Sequence, residues 1–181
     1  MRQAKFPLVG QTTGQALLST AIQINGTLTH QLGRGCAVDI LWEGLLPIQG
    51  DVVVIEDDPM LRELTVDIVT ELGAACTAFD NADDALIHLL QLRGACPLVI
   101  ADHGVPGSIK GMELAMMIHE KWPAMGVILT SGYLLDTAKL PATVVYLLKP
   151  WDIDDLVRTI AQLLQPGVPV RKVGPGALVG R

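Results

Sequence analysis

The feature that most constrains this chain is a repeated unit: a short apolar run, a polar residue at its end, then a helical pattern. Leu98-Val-Ile-Ala101 runs straight into the single carboxylate of Asp102, after which Gly104, Pro106 and Gly107 force a loop. A short unbroken apolar run suits a strand buried on both faces, as in a parallel sheet. In such sheets ligands bind off the carboxyl ends of the strands, where Asp102 falls. Alone, Asp102 also reads as a strand-ending residue that caps a turn.

The unit recurs from Asp51 onward. Val52-Val-Val-Ile55 ends in Glu56-Asp57-Asp58, and Asp58-Pro59 starts a helix with Asp as N-cap and Pro in the first position. Leu61, Leu64, Ile68 and Leu72 follow at helical spacing until Gly73. Cys76 to Phe79 is a strand, and Asn81 opens a helix through about Leu92. Met112 to Lys121 is the third helix. Val127 to Thr130 is a strand ending at Ser131-Gly132, a short helix falls between Leu134 and Leu140, and Val144 to Leu148 is a strand ending at Lys149-Pro150. Asp152 then starts an amphipathic helix to about Leu164. Five strands alternating with five helices predict a flavodoxin-like, doubly wound five-stranded parallel sheet of order 2-1-3-4-5.

The flanks read differently. Residues 1–50 are expected to form a small helix-plus-hairpin segment: a helix over 15–23, strands over 27–30 and 37–42, and a turn at Gly33-Arg34-Gly35. Three such elements bury little surface alone and need something to lean on. Residues 51–165 form the α/β domain. Residues 166–181, with Pro166, Gly167, Pro169, Gly174, Pro175 and Gly176, read as a flexible tail.

No apolar run reaches the length of a membrane span, and no apolar leader follows the first residues, so a cytoplasmic protein is expected. Cys36, Cys76 and Cys96 are widely spaced and fit reduced core thiols. Residues 51–166 carry seventeen acidic and seven basic side chains, a balance that gives no support for nucleic-acid binding.

At the strand ends the chain gathers Glu56, Asp57, Asp58, Asp102, Thr130, Ser131 and Lys149. In the 2-1-3-4-5 order these strands adjoin, so the groups can share one pocket. Clustered carboxylates raise each other's pKa unless a cation intervenes, and an all-oxygen set completed by water suits Mg²⁺. With such an ion holding it ionised, a carboxylate can attack phosphorus and carry an acyl phosphate, with a hydroxyl and the Lys149 ammonium on the phosphoryl oxygens. Read blandly, Glu56-Asp57-Asp58 is a helix-start acidic cluster, and Tyr146 is core.

Four motifs in order resemble one family: Val54-Ile-Glu-Asp-Asp-Pro59, Val99-Ile-Ala-Asp-His-Gly-Val-Pro-Gly107, Thr130-Ser-Gly132 and Leu148-Lys-Pro150. Over about 51–165 the chain is similar to the receiver domains of two-component response regulators. The resemblance implies that Asp102 is the phosphoacceptor and Asp57 a direct Mg²⁺ ligand. It makes Glu56 a second acidic ligand, often through water, and the Gly104 carbonyl the third protein ligand. Lys149 becomes the phosphate-binding lysine, the Lys149–Pro150 bond cis, and Tyr146 the aromatic switch. From Asp102 to Gly111 this chain spans nine residues where the family pattern spans eight. That shift assigns the switch hydroxyl to Ser131, with Thr130 as the alternative. The 18 residues from Ser131 to Lys149 are about four fewer than in many receivers, and the deficit falls on the fourth helix.

Residues 1–50 also weakly resemble the C-terminal end of a histidine-kinase ATP-binding domain, but no ATP motif precedes them. A relic of that kind would serve docking or dimer formation. The expected function is a phospho-accepting response regulator without an effector domain. It would be charged by a sensor histidine kinase or phosphotransfer protein and would signal by protein contact or act as a phosphate sink. It would be no enzyme beyond self-catalysed phosphorylation and dephosphorylation of Asp102. A homodimer through residues 1–50, around Ile40, Leu41, Trp42 and Leu45, is expected. The alternatives are a small Mg²⁺-dependent phosphatase of haloacid-dehalogenase type, which Gly104 disfavours by standing where a second Asp is usual, and a non-phosphorylated binding module.

Overall fold

The structure, a computed structural model, describes residues 22–24, 27–29 and 42–173. Five strands make the central parallel sheet: β4 (Asp51–Ile55), β5 (Ala75–Phe79), β6 (Leu98–Asp102), β7 (Gly126–Ser131) and β8 (Val144–Leu148). Their order is β5-β4-β6-β7-β8, the expected 2-1-3-4-5 topology. All of β6 and β7 is buried, which explains why these strands read as unbroken apolar runs.

Among the described residues three α-helices connect these strands, α1 (Pro59–Glu71), α2 (Ala82–Gln91) and α3 (Gly111–Lys121), and α4 (Ile153–Leu164) follows β8. Asp58, Asn81 and Asp152 cap α1, α2 and α4, each side chain accepting a backbone N–H of the first turn. The expected fourth of five helices is a single 3₁₀ turn, Thr137–Lys139, between β7 and β8. The linker is short, and Pro141 stops the turn from extending. One face of the sheet packs on α1 and α4 through Val52, Val54, Ile68, Ile128, Leu156 and Ile160. The other packs on α2 and α3 through Val53, Leu89, Val99, Leu114, Ile118 and Leu129.

The flanks depart from the sequence reading. Ile22 and Gln23, expected in a helix, belong to β1 (Ile22–Ile24), which pairs antiparallel with β2 (Thr27–Thr29). The intervening Asn25-Gly26 is the strongest two-residue hairpin signal, and the helical spacing of Leu17, Leu18 and Ile22 hid it. The rest of the expected helix, the turn at 33–35, Cys36 and residues 37–41 lie outside the described residues. Part of the presumed tail is also a strand. β9 (Arg171–Lys172) pairs with β3 (Trp42–Glu43), giving a second sheet of order β1-β2-β3-β9.

This second sheet is anchored on α4. Trp42 is 1% exposed in the α1–α4 core, and the Arg158 guanidinium stands 5.5 Å from its ring centroid. Leu45 and Ile48 enter the same core. The Gln165 amide donates to the Gly44 carbonyl and accepts from the Leu46 N–H, both at 2.8 Å. Lys172 reaches Asp154 at 2.7 Å. Among the described residues Cys76 is half-buried and Cys96 buried, both free thiols. Burial, with Asp51 and Cys96 nearby, pushes the Cys76 thiol up to about 12. In the native protein Cys76 is expected to react with iodoacetamide at pH 8 far more slowly than a free thiol, because almost none of it is thiolate. Peptide mass mapping before and after denaturation checks this.

Candidate functional site

The C-terminal ends of β4, β6, β7 and β8 meet at one edge of the sheet. Glu56 and Asp57 follow β4, Asp102 ends β6, Thr130 and Ser131 end β7, and Lys149 follows β8. Glu56, Asp57 and Asp102 each present a carboxylate oxygen within 4.8 Å of the others. Glu56 and Asp102 are buried and Asp57 is exposed.

Lys149 sits between the two buried carboxylates, its ammonium 2.7 Å from Glu56 Oε2 and 2.9 Å from Asp102 Oδ1. Burial pushes the Glu56 carboxyl above its ordinary range, more than Lys149 pulls it down, and Asp102 adds to the rise. For Lys149 burial works against the charge, but hydrogen bonds to Glu56 and Asp102 outweigh it and raise its pKa. One ammonium thus serves two carboxylates, and the exposed Asp57 is left without it. This acidic, oxygen-only corner fits a hard divalent cation better than it fits a soft metal.

The loop after β6 wraps the acidic end. Gly104 N–H donates to Asp102 Oδ2 at 2.8 Å. Gly111, the first residue of α3, lies against the backbone of Asp102, and a Cβ there would stand 2.3 Å from the Asp102 carbonyl oxygen. No larger residue fits without moving the helix away from the strand.

The two hydroxyls take different partners. Thr130 Oγ1 stands 3.5 Å from Asp102 Oδ1, at the limit of a hydrogen bond. Ser131 Oγ accepts from the Tyr133 N–H at 3.0 Å. Among the described residues the hydroxyl that hydrogen-bonds Asp102 is therefore the alternative, Thr130. Tyr146 donates its phenol to the Tyr133 carbonyl, so Ser131 and Tyr146 both hold the same loop residue. The Lys149–Pro150 bond is cis.

Two residues escaped the sequence reading. Arg62, one turn into α1, donates to the carbonyls of Glu56 at 2.7 Å and Asp57 at 3.3 Å, holding the acidic loop by its backbone. Asp83, in the first turn of α2, accepts from the Ser108 N–H at 2.8 Å. Asp83 looks like an ordinary acidic residue in a helix's first turn, and Arg62 like an ordinary surface charge, so neither carried a signal.

Comparison with known proteins agrees with this arrangement. The chain is 29% identical over 123 residues to the hydrogenase transcriptional regulatory protein HoxA of Cupriavidus necator, covering 65% of this chain and 24% of HoxA. It is 30% identical over 121 residues to the DNA-binding transcriptional regulator NtrC of Proteus hauseri, covering 64% and 25%. The chain thus spans about a quarter of the length of the curated relatives it matches. Among solved structures it is similar to the receiver domain of the hybrid histidine kinase CckA. That match has a TM-score of 0.56 and 27% identity, and covers 64% of this chain and 100% of that one. It is also similar to response regulator protein TrrA of Thermotoga maritima in complex with Mg²⁺-BeF, with a TM-score of 0.54, 27% identity, and coverage of 64% and 100%. The family model for the response regulator receiver domain matches residues 52–161, the stretch that carries the acidic cluster, both hydroxyls and the lysine. With its strand order, its acidic strand ends and that match in agreement, the chain belongs to the response regulator receiver domain family.

Proposed function

We propose that this receiver accepts a phosphoryl group on Asp102 from a sensor histidine kinase or a phosphotransfer protein. The observation that carries the reading is Lys149 bridging Glu56 and Asp102 at 2.7 and 2.9 Å, with Asp57 completing the acidic corner. An Asp102 carboxylate oxygen forms the bond to phosphorus as the donor's bond to phosphorus breaks, and the donor group leaves. The Lys149 ammonium then has phosphoryl oxygens to bind in place of a carboxylate. Ser131 or Thr130 supplies a hydroxyl to the same oxygens, and Tyr146 follows the loop that Ser131 releases.

Asp57, Asp102 and the Gly104 carbonyl would hold Mg²⁺ directly, with Glu56 acting through water. When bound, Mg²⁺ supplies positive charge that offsets the carboxylates and the incoming phosphoryl oxygens. Output is by protein contact, or the protein drains phosphoryl groups from its kinase. The chain does no other chemistry and works in the cytoplasm. Residues 1–50 serve assembly rather than catalysis, and 51–165 form the phospho-accepting unit. Trp42 and Leu45 are covered by the receiver of their own chain, so a homodimer through residues 1–50 would have to use other residues.

Titration calorimetry with MgCl₂ tests the site. Asp57→Ala is expected to weaken Mg²⁺ at least about tenfold and to slow phosphorylation by acetyl phosphate. Wild-type affinity in that variant would remove Asp57 from the site. Mg²⁺ affinity of the wild type is expected to fall as pH drops from neutral. The fall should begin above the ordinary carboxylate range, because Glu56 takes up its proton early. An affinity flat down to the pH of ordinary carboxylate titration would contradict a role for Glu56.

A further inference from the structure

We infer that Asp83, on α2 and outside the acidic corner, is a positioning residue for the β6–α3 loop, holding Gly104 against Asp102. This rests on the reading of Asp102 and Gly104 given above and adds a residue to it. Asp83 is 25 residues from the loop in sequence and on a different helix. Its Oδ2 accepts from the Ser108 N–H at 2.8 Å and lies 3.5 Å from the Ile109 N–H. Gly107 has φ +105°, and a Cβ there would stand 2.1 Å from the same Oδ2. The loop backbone is thus shaped around this carboxylate, and only glycine fits both the backbone angle and the space.

The rest of the loop is already fixed. Val105 is fully buried, the Lys110 ammonium donates to the Val105 carbonyl at 2.9 Å, and Gly111 is seated on Asp102. At the other end Gly104 N–H donates to Asp102 Oδ2. Between Val105 and Lys110 the turn has few side-chain anchors, and Asp83 ties it down from outside. Without that tie the Pro106–Ile109 turn loosens first, and its motion reaches the Gly104 peptide through Val105, the one residue between them. The 2.8 Å bond from the Ser108 N–H to a carboxylate is a strong tie, with the Ile109 N–H at the limit of a second one. Its removal leaves the Ser108 N–H without that partner.

Asp84 is the internal control. It sits in the same first turn, but among the described residues its side chain hydrogen-bonds only Asn81, at 2.9 Å. If Asp83 mattered only as a negative charge at a helix start, Asp84 would matter equally.

The test uses the full 181-residue chain as wild type, Asp83→Ala, Asp83→Asn, Asp84→Ala and Gly107→Ala. Amide hydrogen exchange is read at Gly104 and Ser108, and Mg²⁺ affinity by calorimetry. In Asp83→Ala, exchange at both amides is expected to speed up, and Mg²⁺ to weaken about tenfold. Phosphorylation by acetyl phosphate is then slow at limiting Mg²⁺ and near wild type at saturating Mg²⁺. A merely destabilised protein would not give that split. Asp83→Asn keeps an acceptor oxygen and recovers most of the loss, and Asp84→Ala behaves as wild type. Gly107→Ala displaces the carboxylate from the loop side and reproduces Asp83→Ala, so the idea survives a misfolded single variant. Unchanged Gly104 exchange in Asp83→Ala, or equal losses in Asp84→Ala, overturns it. If the wild type binds no Mg²⁺ and takes no phosphoryl group, the proposed function fails, and Gly104 exchange still decides the role of Asp83.

Discussion

Asp102→Asn is expected to take up no phosphoryl group from acetyl phosphate, under conditions where the wild type is labelled. The neighbouring carboxylates are poor substitutes. Glu56 is 5% exposed and tied to Lys149, and its raised pKa leaves it a weaker nucleophile at low pH. Asp57 is open to solvent but has no ammonium beside it among the described residues. Asp102 closes β6 itself, with a lysine on one oxygen and a backbone N–H on the other. The amide is nearly the same size and its oxygen can still accept from Gly104, so the fold should persist. Thermal melting of the variant separates loss of chemistry from loss of structure. A label of undiminished size on folded Asp102→Asn would move the acceptor elsewhere.

Trp42→Ala is expected to cost about 3–5 kcal/mol, the usual loss for a large buried aromatic. That is a large share of the total stability of roughly 5–15 kcal/mol typical of a domain. Trp42 is 1% exposed, although it lies outside the five-stranded unit. A chain starting at Gly50 should suffer more. It loses Trp42, Leu45 and Ile48 from the α1–α4 core and strands the Gln165 amide, which is 8% exposed and spends both its polar atoms on Gly44 and Leu46. Each lost hydrogen bond adds roughly 0.5–1.5 kcal/mol, since the freed amide meets water. Urea unfolding of the two variants measures this. Midpoints equal to wild type would mean that the flank is an appendage and the receiver stands without it.

The parts that were legible in the sequence are those whose cause is local. Leu98 to Ala101 reads as a strand because a two-faced burial leaves no polar position in the run. Asp58, Asn81 and Asp152 read as caps because each bonds an N–H two or three residues on. The gap between Ser131 and Lys149 marks the fourth helix as shortened, but not that it is reduced to one 3₁₀ turn. What was not legible depends on partners far along the chain. Gln165 meets residues 119 and 121 positions away, and Asp83 meets one 25 away. β9 was hidden because Pro166, Gly167 and Pro169 suggest a free tail, while its strand partner Trp42–Glu43 lies at the far side of the domain in sequence. The choice between Thr130 and Ser131 turned on one loop residue, and the structure gives them separate partners, Asp102 and Tyr133.

The most direct measurement is the intact mass of the wild-type chain after incubation with acetyl phosphate, with Mg²⁺ and with Mg²⁺ removed by chelator. The added mass of one phosphoryl group is expected with Mg²⁺ present and little or none without it. The adduct should be lost at alkaline pH, as an acyl phosphate is, and should map to the peptide containing Asp102. No added mass at saturating Mg²⁺ and acetyl phosphate, in a protein shown to be folded, would contradict it.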